Sequence, residues 1–250
     1  KALPTRPLVA AFTATATPEV RQDIIRRLDI PGASIVCTGF DRPNLHFAVQ
    51  RTRDKDRSLL EFLRKHDKQC GVIYCATRSK VESVTQQLQR HGFKALRYHA
   101  GLTPEERRNN QNAFVGGLVP LIVATNAFGM GIDKADVRFV VHYNMPKDVE
   151  SYYQEAGRAG RDGLESECLL LYDKADIAVN TYLIGHDQPD LAWKAHEMEL
   201  LQKMTFYCNT SGCLRRVLLE YFGEKAPAKC NHCGNCDANK NASWRRFLDL

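Results

Sequence analysis

Four cysteines near the C-terminal end, Cys213, Cys230, Cys233 and Cys236, follow the spacing C-x16-C-x2-C-x2-C. Two consecutive two-residue gaps let one short loop turn three sulfurs toward a single point. Cys213, at the start of the helix-like run LRRVLLEYF, can supply the fourth. Four thiolates around one point suit tetrahedral Zn²⁺, and a site with no open coordination position is structural, not catalytic. Free or disulfide-bonded cysteines and an iron–sulfur cluster are the competing readings, although an intracellular chain seldom keeps disulfides. His232 is a rival ligand inside the loop, but its neighbour Cys233 keeps the regular spacing. Cys208 reads as a core thiol, and Cys37, Cys70, Cys75 and Cys168, in or beside apolar runs, read as buried thiols.

A second constellation is the segment SYYQEAGRAGRDG, which carries Arg158 and Arg161 at or just after the end of a helix that begins near Asp148. Glycines interspersed through the segment let the backbone approach another surface while the guanidinium forks project outward, which is how an arginine reaches a phosphate. Taken alone, such a string also fits solvated arginines in a turn. A third set, Thr77 with Arg78, His99 to Gly101, and Thr125 with Asn126, falls where apolar runs end. Open α/β sheets bind ligands at that edge. Thr77, His99 and Thr125 also fit ordinary helix caps.

The elements that must position these residues are legible between Gly71 and Asp173. GVIYCA, ALRYHA, LIVATN, FVVHYN and ECLLLYD are near-continuous apolar runs, as in a parallel sheet covered on both faces. Between them, Ser79 with Glu82 and Thr103 with Glu106 match capping boxes, Pro104 suits a first helical position, and Gly92 suits a helix stop. Strand and helix alternating at this spacing give an α/β domain with right-handed crossovers. Upstream, PLVAAFTATA reads as an apolar strand running into a helix start at Thr17-Pro18, and IVCTGFDRPNLHFAVQ as extended segments broken by Pro43. Downstream, Leu183, Leu191, Met198, Leu201 and Met204 form a helical stripe on either side of a break at Asp187-Gln188-Pro189, best read as core. The organisation expected is residues 1–40 as the tail of a preceding domain and a connector, 41–182 as the α/β lobe, 183–240 as a helical zinc-binding subdomain, and 241–250 as a tail.

With 250 residues and 44% hydrophobic content, the chain can bury one good core and a smaller satellite. The formal charge of +6 permits nucleic-acid binding without arguing strongly for it, and zinc-bound thiolates would lower it further. No run is long enough to span a bilayer and the first residues lack a secretory layout, so the expectation is a soluble, intracellular chain.

AFTATA, GVIYCATR, YHAGL and ATNAFGMGIDKADVRFVVHYNMP, in that order, resemble the second RecA-like lobe of superfamily 2 helicases. QEAGRAGRDG, FDRPNL and the cysteine spacing narrow the resemblance to the RecQ family, over about Pro7 to Cys236. The resemblance implies a RecA-like sheet of the P-loop NTPase type and a motor that unwinds DNA 3′ to 5′ in recombination and repair. By it, Arg161 looks like an arginine finger and Arg158 its companion at ATP held by another lobe. Asp133, Gln154 and Gly131 would line the same cleft, with Asp133 facing a ribose or an arginine. Thr13 and Thr15 would couple that cleft to single-stranded DNA tracking over Thr77, Arg78, His99, Gly101, Thr125 and Asn126. The setting implied is the bacterial nucleoid or the nucleus.

Two departures qualify the match. No G-x-x-x-x-G-K-[ST] loop and no DExH segment occurs, so the phosphate cradle and the Mg²⁺ carboxylate are expected on a first lobe in cis, and this polypeptide alone is not expected to hydrolyse ATP. The winged-helix domain common after the zinc platform is represented at most by the beginning in NASWRRFLDL. The reading from another class is a non-enzymatic zinc module that binds DNA or a partner protein through Arg215, Arg216, Arg245 and Arg246.

Overall fold

A computed structural model of the chain describes residues 6–129, 133–187 and 190–238. Helix α1, Pro18–Arg27, starts where the sequence signals it: Thr17 is extended, its Oγ1 accepts from the Val20 N–H at 3.4 Å, and Pro18 follows. Strand β1, Leu45–Arg51, and helix α2, Lys55–Lys65, come next. The alternating core then runs β2 (Gly71–Tyr74), α3 (Arg78–Arg90), β3 (Ala95–Tyr98), α4 (Pro104–Val115), β4 (Leu121–Ala124), β5 (Phe139–His142), α5 (Val149–Ala156) and β6 (Ser166–Tyr172). Helices α6 (Ala175–Asp187), α7 (Leu191–Asn209) and α8 (Leu214–Tyr221) complete the described elements.

The six strands form one sheet in the order β1-β6-β5-β2-β4-β3, with every ladder parallel. Alternate residues feed two cores, as a period of two requires of a sheet buried on both faces. Phe47, Val72, Tyr74, Ile122, Val140 and Leu170 face α5, α7 and α8. Ile73, Leu121, Val123, Phe139, Val141 and Leu169 face α2 and α3. Gly71 lets the sheet close tightly, since a Cβ there would meet the Phe139 ring at 1.9 Å. β1 is an edge strand, and the cysteine loop covers part of its rim through a bridge between Phe47 and Cys233.

Several expectations need correction. PLVAAFTATA pairs with no strand among the described residues, and Leu8 and Phe12 are fully exposed, because an apolar run becomes a strand only where a neighbour accepts its backbone. The cap of α3 is Thr77 and not Ser79: Thr77 is extended and its Oγ1 accepts from the Lys80 N–H at 3.2 Å, which leaves Ser79 inside the first turn. Cys37 lies on an exposed segment and Cys70 is only half-buried, while Cys75, Cys168 and Cys208 are buried as expected. Leu191, at the first turn of α7, is exposed and outside the stripe that buries Leu201 and Met204. Four of the expected strands, GVIYCA, ALRYHA, LIVATN and FVVHYN, stop two residues early, and the residues left over form the turns at the carboxyl edge.

A buried ion pair fixes that edge to α6. Lys55 Nζ lies 2.6 Å from Asp176 Oδ2, with both side chains under a tenth exposed. Asn144 Nδ2 donates to the other Asp176 oxygen at 3.0 Å while Asn144 Oδ1 accepts from the Ala76 N–H at 3.2 Å. Asp176→Ala strands a buried ammonium, and loss of one partner of such a pair costs about 3–5 kcal/mol. The expected result is thermal unfolding lowered by roughly 10 °C. A shift of a degree or two would show that the pair contributes little.

Candidate nucleotide and DNA edge with a metal centre

At the carboxyl ends of β2, β3 and β4 the polar residues divide into those that hold turns and those that face solvent. Thr77 spends its oxygen on the α3 cap. Thr125 is buried and its Oγ1 accepts from the Ala127 N–H at 3.4 Å. His99 is also buried; its Nε2 lies 2.8 Å from Glu82 Oε1, and its Nδ1 accepts from the Gly101 N–H at 3.2 Å. Partial burial works against it, but hydrogen bonds from Arg97 and His99 hold the Glu82 carboxyl below its ordinary pKa. Arg78, Gly101 and Asn126 are exposed, and the Arg78 chain passes over Gly101, where a Cβ would lie 3.3 Å from Arg78 Cδ.

The arginine turn hangs from α5, whose start is fixed by Asp148 Oδ1 accepting from the Ser151 N–H at 2.6 Å. Its two arginines differ. Arg161 is exposed and its Nη1 reaches Asp133 Oδ1 at 3.1 Å, the side chains being 35% and 91% exposed. Arg158 does not project outward as expected: it is half-buried and its Nη1 donates to the Gly129 carbonyl at 2.7 Å. The reason is space. Gly129 has no Cβ, which would stand 2.6 Å from Arg158 Nη2, so the guanidinium can lie against the chain leaving β4. Gln154, on α5, donates to Thr15 Oγ1 at 2.6 Å, and the Thr15 N–H donates to Thr13 Oγ1 at 3.3 Å. The structure thus gathers Asp133 with Arg161, Arg158 with the β4 exit, and Gln154 with Thr13 and Thr15, while Gly131 lies outside the described residues.

The four cysteines come together as the spacing requires. One sulfur from each of Cys213, Cys230, Cys233 and Cys236 lies within 4.8 Å of the others, and the Cys213 and Cys233 sulfurs are 4.0 Å apart. Zn–S bonds of about 2.3 Å set the edge of a tetrahedron at roughly 3.8 Å, whereas a disulfide needs about 2.05 Å. The donor set therefore fits zinc. Burial, reinforced by the neighbouring sulfurs, raises the Cys230 thiol, so a bound cation is what would let thiolates share this space. Backbone N–H groups of Arg216 and His232 point at the Cys213 and Cys230 sulfurs at 3.5 and 3.4 Å, as around structural zinc. His232 turns away from the cluster, with its Nε2 3.1 Å from Glu165 Oε2.

Sequence reasoning missed Arg42, Asn44 and Arg215 as parts of the site. Arg215 was expected on a binding surface in the non-enzymatic reading, yet it is 6% exposed and spends its guanidinium on Asp41 and on backbone carbonyls. Arg216 pairs with Glu220 at 2.7 Å on α8. Arg245 and Arg246 lie outside the described residues.

Comparison with known proteins agrees with this geometry. The model of the helicase conserved C-terminal domain matches residues 54–163, and the model of RecQ zinc-binding matches residues 174–237. The chain is 46% identical over 237 residues to the ATP-dependent DNA helicase RecQ of Bacillus subtilis, covering 95% of this chain and 40% of that protein. It is 41% identical to the RecQ helicase of Pasteurella multocida, covering 91% and 36%, and 39% identical to the ATP-dependent helicase SGS1 of Saccharomyces cerevisiae, covering 96% and 17%. The chain therefore spans well under half the length of these relatives. A structure of S. cerevisiae Dbp5 bound to RNA and ADP BeF3 matches the fold, with TM-score 0.58 and 21% identity over 77% of this chain and 54% of that one. It supports the RecA-like sheet and nothing finer. Two family models in sequence order, one over the parallel sheet and one over the sulfur cluster, together with these identities, place the chain in the RecQ family, of which it carries the helicase C-terminal domain and the zinc-binding domain.

Proposed function

We propose that this chain is the second motor lobe and zinc platform of an ATP-dependent DNA helicase, one that moves 3′ to 5′ on single-stranded DNA and unwinds duplexes in recombination and repair. Residues 1–40 would connect from a first RecA-like lobe in cis, 41–182 form the motor lobe and 183–240 the platform, with 241–250 leading toward a possible winged-helix domain. The setting is the bacterial nucleoid or the nucleus.

The observation that carries the reading is Arg161, an exposed guanidinium on a glycine-rich turn that makes a solvent-facing pair with Asp133. Such a pair is weak, so the guanidinium can exchange a carboxylate for a phosphate. ATP and Mg²⁺ would be held by the first lobe and would supply the phosphoryl group and positive charge to offset the charge on it. Arg161 would neutralise charge on the transferring group, Arg158 would brace the β4 exit, and Gln154 with Thr13 and Thr15 would couple the cleft to the strand. Along the carboxyl edge, Arg78, Gly101 and Asn126 are the exposed groups for phosphate contact, while Thr77, His99 and Thr125 set the turns that present them. Zn²⁺ on the four sulfurs supplies cross-linking and no chemistry.

The test compares this chain alone with a longer chain that carries both lobes. Measured are single-strand-stimulated ATP hydrolysis and unwinding of duplexes with 3′ or 5′ tails. Hydrolysis and 3′-tail unwinding are expected from the longer chain only. Hydrolysis by this chain alone, or unwinding that requires a 5′ tail, would overturn the proposal.

A further inference from the structure

FDRPNL is the one motif to which neither the sulfur cluster nor the arginine turn assigns a task, and its residues face both. Toward the turn, the Arg42 guanidinium donates to the carbonyls of Gly157, Ala159 and Gly160 at 3.5, 3.2 and 3.0 Å. Asn44 Nδ2 donates to the carbonyls of Gly160 and Leu164 at 2.8 and 3.0 Å. Gly160 has φ +56°, and a Cβ there would lie 2.4 Å from Asn44 Nδ2, so only glycine admits this contact. Toward the platform, the oxygens of the same segment accept from one buried cation. Arg215 Nη1 reaches Asp41 Oδ1 at 2.6 Å and the Arg42 carbonyl at 2.7 Å, and its Nη2 reaches the carbonyls of Pro43 and Leu45 at 3.3 and 2.5 Å. Arg215 stands two residues after Cys213, which caps α8. Phe40 adds a third anchor: its ring stacks on Phe222 at 4.4 Å, its N–H donates to Glu224 at 2.7 Å, and its carbonyl accepts from the Tyr153 hydroxyl.

We infer that Arg42 and Asn44 are positioning residues for the Arg158–Arg161 turn, and that Arg215 ties this bracket to the zinc platform. The inference rests on the proposed reading of Arg161 as a nucleotide-facing group. A helix end leaves carbonyls without partners, and in a turn with glycine at 157, 160 and 163 only the small Ala159 side chain is seated in the core, so much of its direction must come from bonds to its backbone. The exposed pair of Arg161 with Asp133 is too weak to do so. A planar guanidinium across three carbonyls, with an amide on the third of them, holds the turn by its backbone and leaves both arginine side chains to their own contacts. One continuous set of bonds then runs from the sulfur cluster through α8, Arg215 and residues 41–45 to the arginine pair.

The experiment uses the longer chain with both lobes and measures single-strand-stimulated ATP hydrolysis. Arg42→Ala and Asn44→Ala are expected to lower kcat toward 10²-fold, about what a misplacement of 1 Å costs, with KM for ATP and bound zinc unchanged. Placed on top of Arg161→Ala, Arg42→Ala is expected to lower kcat no further, because a residue that acts through another loses its effect when that other is gone. Arg42→Lys, which keeps the charge but not the fork, recovers only part of the rate. If Arg42→Ala fails to fold, Asn44→Ala reads the same bracket. Wild-type kcat in these variants, or losses that multiply fully with Arg161→Ala, would overturn the inference. If Arg161→Ala itself keeps wild-type kcat, the nucleotide reading falls and takes the bracket with it; if Arg161→Ala is crippled and the bracket variants are not, only the bracket falls.

Discussion

In a chain that carries both lobes, Arg161→Ala is expected to lower kcat for single-strand-stimulated ATP hydrolysis by about 10³–10⁵, the range over which arginine fingers act, and to change KM for ATP far less. The asymmetry follows from when the contact is made. A guanidinium that meets charge only as the phosphoryl group transfers stabilises the transition state and not the bound ground state, so its removal appears in kcat. The geometry favours Arg161 over Arg158 for this work. Arg161 faces solvent with 35% of its side chain exposed, while Arg158 is half-buried against the Gly129 carbonyl. Arg161→Lys keeps a cation but loses the planar fork and recovers part of the rate. Equal steady-state rates for wild type and Arg161→Ala would remove the finger assignment, and a rise in KM with unchanged kcat would make Arg161 a binding residue only.

What the sequence discloses and what it hides divide along a physical line. Local signals survive: the apolar runs locate five strands, and the starts at Thr17, Thr103 and Asp148 sit where short polar side chains can accept a backbone N–H. Pairing across long separations does not. β1 has the polar–apolar mixture of an edge strand, and its ladder to β6 joins Leu45 to Ser166, a neighbour no local window contains. The same limit explains the misplaced cap on α3. Glu82 sits at capping-box spacing from Ser79, yet its carboxylate turns to Arg97 and His99, brought beside it by the fold. Arg158 points inward for the same kind of reason, since the approach of Gly129 is a tertiary event. The sulfur cluster was the most legible feature because its geometry is almost wholly local, with three of four ligands in one short loop.

Removal of zinc is the perturbation with the widest structural reach. Structural zinc binds short peptides with an apparent ~10–16 kcal/mol at neutral pH, more than the folding stability of many domains. Here Cys213 caps α8, Cys233 bridges to Phe47 on β1, and Cys213, Cys233 and Cys236 belong to the apolar core that contains Tyr152, Met204 and Leu218. Four thiols left without a cation would be poorly solvated in that core, so chelation at neutral pH is expected to release α8 and the loop after it. The opposite face of the sheet touches none of these cysteines: Ile73, Val123 and Val141 pack with α2 and α3. Hydrogen exchange should therefore show protection lost first in α8 and residues 230–238 and then along β1, while β2, β4 and β5 keep theirs. Cys233→Ser should do the same without a chelator and lose the metal. One full equivalent of zinc in purified Cys233→Ser would discredit the ligand set, and uniform loss of protection across the sheet would show that the platform and the lobe unfold as one unit.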